Sequence, residues 1–224
     1  MNRDQDGWIK CYQEKGALWI HDGNAKRPHA LLTSGKHSSG FFNSELVMED
    51  SFLLSEACSD LVSLIADTGT LLGHINRVVG PAMGAITLAD GLARHLSSRR
   101  ARQYACLRAY VEKEETPAGV RMVFKRTTIK PGENILLCED VITTAGSVNL
   151  AAQAVIEAKG NVWSFVSVLV NRSGLVEADG RKIIALIDRP MPMWSPDECP
   201  LCKQGSEAIK PKGKEEWARL NAEY

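Results

Sequence analysis

Residues 135–151 read ILLCEDVITTAGSVNLA, an apolar run that ends in two acids and continues into a turn of small residues. The run 135–138 predicts a buried strand, and the Thr-Thr-Ala-Gly-Ser sequence predicts a turn that opens a helix. Such a turn lets backbone N–H groups reach a phosphate, while Glu139 and Asp140 can accept hydrogen bonds from ribose hydroxyls. The stretch therefore predicts a sugar-phosphate site. An ordinary α/β crossover of similar composition is the alternative.

Composition limits the class of protein. The chain has 224 residues, 44% of them hydrophobic, and a formal net charge of +0. This length can bury the core of one α/β domain, so we expect a single domain over 1–224. A neutral chain argues against nucleic acid as the main partner. The start MNRDQDGWIK lacks a signal-peptide core, and no run approaches the roughly 18 apolar residues of a membrane span, so we expect a cytoplasmic protein without a membrane partner.

Hydrophobic periodicity predicts alternating helices and strands. Helices are expected within 6–19, with Gly16 as the stop, and over 51–66, 85–96 and 147–158; strands are expected over 77–80, 104–110, 135–139, 162–170 and 182–187. This alternation predicts an α/β fold in which a central parallel sheet is flanked by helices, with ligands at the carboxyl ends of the strands. Residues of about 1–50, including a two-stranded element in 30–47, are expected to form a small lobe over the site. About 190–224 is expected to be an irregular tail with a helical end.

Two further segments lie near the predicted site. VVGPAMGAI at 78–86 reads as a strand, a turn and a helix start, and such a turn can present backbone N–H groups to a diphosphate. VEKEETPAGV at 111–120 is charged and has little to bury. We interpret it as a mobile loop or as the tip of a β-ribbon formed with the RMVFKR that follows, and a solvated hairpin without a role is the alternative.

The cysteines do not form a recognisable disulfide framework. They lie at positions 11, 58, 106, 138, 199 and 202, so reduced thiols are expected. Cys199-Pro-Leu-Cys202 has the spacing of half a zinc site, but completion would need a histidine or the other subunit. Structural thiols are therefore the favoured interpretation. His37, in the segment 30–47, is the one histidine that merits a test.

Separated pieces of the chain resemble one known family. LLTSGKHSSGFFN, VVGPAMGAI, ILLCEDVITTAGS, LVNRSG and ECPLCKQG follow one another between about residues 30 and 210. In this order they resemble the base-site segment, the pyrophosphate loop, the phosphoribosyl-pyrophosphate (PRPP) motif, an arginine-bearing segment and the tail of orotate phosphoribosyltransferases. The resemblance implies the type I phosphoribosyltransferase fold with a hood lobe over the active site.

The same resemblance implies a reaction, a cofactor and an assembly. It implies transfer of the 5-phosphoribosyl group from PRPP to a nitrogenous base with release of diphosphate. Orotate is the favoured base, giving orotidine 5′-monophosphate in pyrimidine biosynthesis. It also implies Mg²⁺ carried by PRPP, with no metal bound directly by protein side chains, and a homodimer. Closure of the 111–120 segment is expected to exclude water.

Roles follow from the resemblance by matching position. The implied PRPP-binding residues are Glu139, Asp140, Val141, Ile142, Thr143, Thr144, Ala145, Gly146 and Ser147. The implied pyrophosphate loop is Pro81, Ala82, Met83 and Gly84, and the implied base-binding residues are Phe41, Phe42, Thr143 and Arg172. The candidate catalytic residues are Lys113 and Asp140. The alternatives are a core position for each phenylalanine and a surface ion pair for Arg172.

Some positions depart from the family pattern. Lys113 stands among Glu112, Glu114 and Glu115, where the best-known branch places several cations, and Arg108, Lys125 and Arg126 are the remaining candidates to face a diphosphate. Thr33 and Met83-Gly84 replace lysine-bearing positions, and Ala145 stands where a glycine is frequent, which predicts a tighter turn. Two other functions therefore stay open: phosphoribosyl transfer to another base, and PRPP sensing without turnover.

Overall fold

The computed structural model describes residues 3–98, 104–117, 119–211 and 213–224. Its helices are α1 (Gln5–Glu14), α2 (Glu45–Met48), α3 (Ser51–Asp67), α4 (Ile86–Ser97), α5 (Gly146–Glu157), α6 (Pro200–Lys203) and α7 (Lys214–Asn221). Its strands are β1 (Leu18–Ile20), β2 (His29–Leu31), β3 (His37–Ser38), β4 (Gly40–Phe42), β5 (Arg77–Pro81), β6 (Leu107–Thr116), β7 (Gly119–Val123), β8 (Asn134–Ile142), β9 (Asn161–Asn171), β10 (Glu177–Ala178), β11 (Arg181–Asp188), β12 (Met193–Trp194) and β13 (Ala208–Ile209).

A 7-stranded sheet in the order β10-β11-β9-β8-β5-β6-β7 forms the centre of the molecule. The inner strands from β11 to β6 are parallel, and β10 and β7 pair antiparallel at the two edges. Helices α1, α3 and α4 share one buried apolar cluster with the sheet, and α5 shares another. The predicted α/β class and central parallel sheet flanked by helices are therefore confirmed. No helix among the described residues combines the length and the apolar character that crossing a bilayer requires.

The predicted bounds of α3, α4, α5, β5, β9 and β11 lie within a residue of the observed ones. Two predictions need correction. Leu18 and Trp19 were grouped with the first helix, but α1 ends at Glu14, Gly16 has a φ of 61°, and the residues after it form β1. The strand predicted over 104–110 instead runs from Leu107 to Thr116 and pairs with β7, so the ribbon interpretation of 111–120 is the correct one.

A smaller 4-stranded sheet, β12-β3-β2-β13, is here called the hood. Strands β2 and β3 form the predicted two-stranded element, whereas β12 and β13 come from the segment expected to be an irregular tail. That expectation was wrong because the partners of β12 and β13 lie far away in the sequence. Leu220 of α7 shares a buried apolar cluster with Ala30 of β2 and Ile209 of β13, so α7 packs against the hood. The carbonyl of Leu220 also accepts from the indole N–H of Trp19 at 2.8 Å.

Candidate active site

Strand β8 directs its two terminal acids to opposite faces of the sheet. Side chains alternate along a strand, and Leu137 packs in the α5 cluster while Cys138 packs in the α3–α4 cluster. Glu139 consequently follows the α5 side, and Asp140 the α4 side. In agreement, Glu139 lines the hollow in front of α5, whereas the Asp140 carboxylate lies against Gly84 in the turn before α4. The end of β8 therefore places one acid at the turn before α5 and the other at the turn before α4.

Gly84 permits this close approach. A Cβ at Gly84 would lie 2.9–3.0 Å from the carboxyl atoms of Asp140, which is closer than real Cβ contacts. Near the end of β5, a Cβ at Gly80 would lie 2.7 Å from both the side chain and the carbonyl of Ala85. Glycine at these positions therefore lets the β5–α4 turn close onto β8.

The hollow in front of α5 is built from the turn that the sequence singled out. It is lined by Glu139 and residues 141–148, so every predicted PRPP-binding residue except Asp140 borders it. Helix α5 begins at Gly146, and its first N–H groups lack partners within the helix. Ala145 immediately before it has the left-handed φ of 59°. A helix N-terminus of this kind favours an anion.

A larger cavity adjoins this hollow, with Glu139, Val141, Thr143 and Ser147 common to both. The side chains and backbone around it come from the two turns, from β6, from residues 32–42 and from the residue that follows β9. Its lining is Leu32, Thr33, Phe41, Phe42, Pro81, Ala82, Met83, Gly84, Lys113, Glu139, Asp140, Val141, Thr143, Ser147 and Arg172. The two adjoining spaces therefore bring together every residue to which the family resemblance assigned a role in binding or catalysis.

The surroundings of Glu139 disfavour its ionised form. Glu139 is 7% exposed, and burial raises its pKa well above 4.5, assisted by the neighbouring Asp140 carboxylate. The charge of Lys113 acts in the opposite direction and lowers the pKa of Glu139. Hydrogen-bond donors or a cation brought by a ligand would favour the ionised form of Glu139.

Arg172 is a buried cation on this cavity, so the alternative of a surface ion pair is wrong. The residue is 1% exposed, and its guanidinium donates to the carbonyl of Gly40 at 2.8 Å and to the hydroxyl of Ser38 at 2.5 Å. Its Nε has no partner, and among the described residues no acid offsets the burial, which lowers the pKa of Arg172 to about 10. The side chain stays charged at neutral pH without a counter-ion.

Lys113 is separated from two of its acidic neighbours by the pleat of β6. Lys113 lines the cavity, while Glu112 and Glu114 point to the opposite face of the strand. Glu114 accepts from Arg121 at 2.7 Å, and Glu112 lies 3.8 Å from Arg126. Two of the three acids that surround Lys113 in the sequence therefore lie on the other face of the strand beside arginines, while Glu115 stays on the face of Lys113.

The other predicted cations do not reach the cavity. Arg108 pairs with Asp90 at 2.8 Å, and Lys125 and Arg126 border a separate surface depression. They were proposed to face a diphosphate, and the structure shows that they do not. Sequence position could not reveal this, because the ribbon carries β7 and the residues after it to the edge of the sheet.

The two phenylalanines differ in their surroundings. Phe42 is 2% exposed and packs edge-on against Tyr12, with ring centroids 5.4 Å apart, so its core alternative applies even though it borders the cavity. Phe41 is less buried and packs against Trp217. Sequence reasoning missed Ser38, which holds Arg172 across 134 positions of sequence and therefore leaves no local signal.

Comparison with known proteins agrees with this geometry. Residues 54–190 match the family described as the phosphoribosyl transferase domain. The orotate phosphoribosyltransferase of Caldicellulosiruptor bescii is 34% identical over 208 residues, covering 93% of this chain and 97% of that protein. The orotate phosphoribosyltransferase of Caldicellulosiruptor saccharolyticus is 36% identical over 208 residues, covering 93% and 96%.

The fold has a counterpart among solved structures. The crystal structure of orotate phosphoribosyltransferase from Aeropyrum pernix matches with a TM-score of 0.59 and 24% identity, covering 80% of this chain and 91% of that one. At this identity the likeness concerns the fold alone. The chain belongs to the phosphoribosyl transferase family, as the family match and the similar sequences show and as the PRPP-type turn agrees.

Proposed function

We propose that the protein transfers the 5-phosphoribosyl group of PRPP to orotate, producing orotidine 5′-monophosphate and diphosphate in pyrimidine biosynthesis. The observation that carries this proposal is the buried guanidinium of Arg172, which has no acidic partner among the described residues and lies on the same cavity as the phosphate turn. Orotate bears a carboxylate, and a planar guanidinium recognises a carboxylate through paired hydrogen bonds. The names of the similar proteins support the same base.

The cavity offers a place for each part of the two substrates. The 5′-phosphate would lie at the N-terminus of α5, and the ribose hydroxyls would donate to Glu139 and Asp140. The diphosphate would extend toward the turn 81–84 and Lys113. The base would lie between Phe41 and Arg172. All of these groups border the two adjoining spaces.

Catalysis would rest on positioning and charge. Breaking the bond between the anomeric carbon and the diphosphate builds positive charge on the ribose and negative charge on the leaving group. Glu139 and Asp140 would face the ribose and Lys113 would face the diphosphate, and all three line the same cavity. Holding the ring nitrogen of the base next to the anomeric carbon supplies the remaining advantage, so no covalent nucleophile is required.

Mg²⁺ is part of the proposal. The ion would be carried by the phosphates of PRPP, keep several of its waters and have no protein side chain as a direct ligand. The carboxylates of Glu139 and Asp140 border the cavity, which suits a ligand that brings a cation. When bound, the ion neutralises charge on the diphosphate. Removal of Mg²⁺ with EDTA is expected to abolish turnover, and turnover that persists in EDTA would contradict this part.

The proposal also includes a homodimer in the cytoplasm. The family resemblance supports the dimer, and the described cysteines, all of them free, suit a reducing compartment. Sedimentation velocity is expected to give the mass of two chains. A mass of one chain at micromolar concentration would remove the dimer from the proposal.

A base panel tests the substrate. We expect orotate absorbance to fall when enzyme and Mg-PRPP are mixed, and no diphosphate to be released with adenine, guanine, hypoxanthine or uracil. Turnover of another base instead of orotate would establish the first alternative. PRPP binding in calorimetry without diphosphate release for any base would establish the sensing alternative.

Asp140→Asn tests the ribose contact. The substitution removes a charge from an acceptor at the strand tip, so the Kd for PRPP is expected to rise about 10- to 100-fold. The melting temperature should stay within a few degrees of that of the wild type. Asp67→Asn, at the exposed end of α3, is the matched control and should leave PRPP affinity unchanged. Equal affinity for Asp140→Asn and Asp67→Asn would show that the strand tip is misassigned.

A further inference from the structure

A second group of reactive side chains lies at the hood, outside the candidate active site. His29 of β2, His37 of β3, and Cys199 and Cys202 at the start of α6 place their ligand atoms within 4.8 Å of one another. Both histidines and Cys199 are buried, and Cys202 is half-buried. None of these residues belongs to the lining of the active-site cavity. The half site that the sequence showed thus meets two histidines in the fold.

The separations fit four ligands around one ion. Cys202 Sγ lies 3.2 Å from His37 Nδ1 and 3.5 Å from His29 Nε2, and Cys199 Sγ lies 3.5 Å from the same Nε2. The two ring nitrogens are 3.0 Å apart. Zinc bonds of about 2.3 Å to sulfur and 2.0–2.1 Å to nitrogen at tetrahedral angles separate neighbouring ligand atoms by about 3.3–3.8 Å. Small movements would therefore complete a tetrahedron.

The hydrogen bonds around His29 assign its proton. Ser206 has one hydroxyl proton, and it donates to the carbonyl of Arg27 at 2.6 Å. The same hydroxyl oxygen lies 2.8 Å from His29 Nδ1, so it accepts from an N–H at that position. The lone pair of His29 is then on Nε2, which faces the two thiols. Metal-binding histidines are commonly held in this way by an outer hydrogen bond from the other ring nitrogen.

We propose that His29, His37, Cys199 and Cys202 bind one zinc ion in a closed structural site. Two imidazole nitrogens and two thiolates in a tetrahedron are a zinc donor set, and four protein ligands leave no open position for catalysis. This replaces the interpretation of the cysteine pair as structural thiols.

The ion would link two segments that are far apart in the sequence. Cys199 and His29 are 170 positions apart, and the ion would join the β2–β3 hairpin to the segment before α6. The neighbour of His37 on β3 is Ser38, which holds the guanidinium of Arg172. Zinc would therefore stabilise the wall of the cavity on which Arg172 is anchored, while the phosphate turn would not depend on it.

Metal analysis of the untagged protein tests this site without reference to turnover. Protein expressed in zinc-supplemented medium and passed through a desalting column is expected to contain about one zinc ion per chain, as measured by inductively coupled plasma mass spectrometry. His37→Ala and Cys202→Ser should lose that zinc. His74→Ala, at an exposed position, and Cys11→Ser, on α1, are the matched controls and should keep it. Zinc far below one per chain in the wild type, also after reloading, would overturn the proposal, as would full retention in both ligand variants.

Two measurements on the wild type cover the case in which the ligand variants fail to fold. Protein reloaded with Co²⁺ should show thiolate charge-transfer bands and intense visible bands of a tetrahedral site. Iodoacetamide should label Cys199 and Cys202 after chelation but not in the zinc-loaded protein, as read by peptide mass spectrometry. Absence of the cobalt bands, or equal labelling with and without zinc, would overturn the assignment.

Discussion

The phosphate turn and the hood contribute to the same molecule by opposite routes. The turn is continuous in sequence, because the tip of β8, residues 143–145 and the start of α5 supply all of Glu139–Ser147. The hood is assembled from residues that are far apart, as when Ser38 holds Arg172 across 134 positions. The part of the site suited to a ribose phosphate is encoded locally, whereas the part suited to a particular base requires the complete fold.

Because of this difference, we expect base recognition and PRPP binding to be lost independently of each other. Damage at the hood should weaken base recognition and leave PRPP binding intact, because the α5 hollow does not include hood residues. Damage at the turn should weaken PRPP binding whatever the base. A variant that lost both functions through one hood residue, while remaining folded, would show that the two regions are not independent.

Arg172→Met should have the largest effect. Methionine fills a similar apolar volume but loses the charge and both donated hydrogen bonds, so kcat/KM for orotate is expected to fall about 10³-fold. PRPP affinity measured by calorimetry should change less than about threefold. Arg108→Met, whose arginine pairs with Asp90 away from the cavity, is the control. Equal losses in orotate turnover for the two variants would break the comparison.

Lys113→Met should have the next largest effect, and Glu114 provides its control. Lys113 faces the cavity, so its removal is expected to lower kcat/KM about 10- to 100-fold through the lost charge on the diphosphate. Glu114 lies on the other face of β6 and accepts from Arg121, so Glu114→Gln should change kcat/KM less than about twofold. Comparable losses in steady-state kinetics would show that the ribbon changes its pleat or register when substrate binds.

Glu139→Gln should trade function for stability. Burial raises the pKa of Glu139 in the folded protein, so the folded state holds a proton that the unfolded chain releases near pH 4.5. The free energy of unfolding of the ligand-free wild type should therefore fall as the pH rises from about 4.5 through the folded pKa. Glutamine does not ionise, so the variant should not show this loss. We expect its free energy of unfolding at neutral pH to be higher by about 1 kcal/mol, which raises Tm by roughly 2–4 °C.

The control for that gain is Glu115→Gln, at an exposed position of β6. Thermal melts from pH 4 to pH 8 should show a shallower decline for Glu139→Gln than for wild type and Glu115→Gln. PRPP binding by Glu139→Gln should be weaker than that of the wild type, because a ribose acceptor has lost its charge. Parallel stability curves for all three proteins would show that Glu139 is not strained by its burial.

The same contrast explains what the sequence could predict. The helices and inner strands were predictable because each carries its own periodicity, and the acids and small residues of the turn lie on consecutive positions. Strands β12 and β13 were not predictable, because a two-residue strand has no periodicity and forms only by pairing with another strand. The burial of Arg172 was equally hidden, since an arginine in a sequence does not show that its neighbours exclude water.

The order of charges along β6 shows a second limit of prediction from the sequence. A one-dimensional reading places three acids beside Lys113, but a strand sends alternate residues to opposite faces. Once 111–116 is known to be strand, Glu112 and Glu114 leave the cavity side. The order of the acids in the sequence could not show this, because a mobile loop and a β-ribbon over 111–120 would direct them differently.

Ala145→Gly should have the smallest effect and sharpens the account of the turn itself. Ala145 was expected to tighten the turn, and it has a left-handed φ of 59°, which glycine adopts without strain. Glycine would relieve about 1 kcal/mol of strain but lose a buried methyl group of similar value, so the free energy of unfolding should change by less than about 1 kcal/mol. Ala151→Gly, at a buried position inside α5, should instead cost about 1.5–2 kcal/mol, since helix propensity and burial are lost together. Urea melts of the two variants decide the matter: equal destabilisation would mean that the left-handed turn before α5 carries no strain for glycine to relieve.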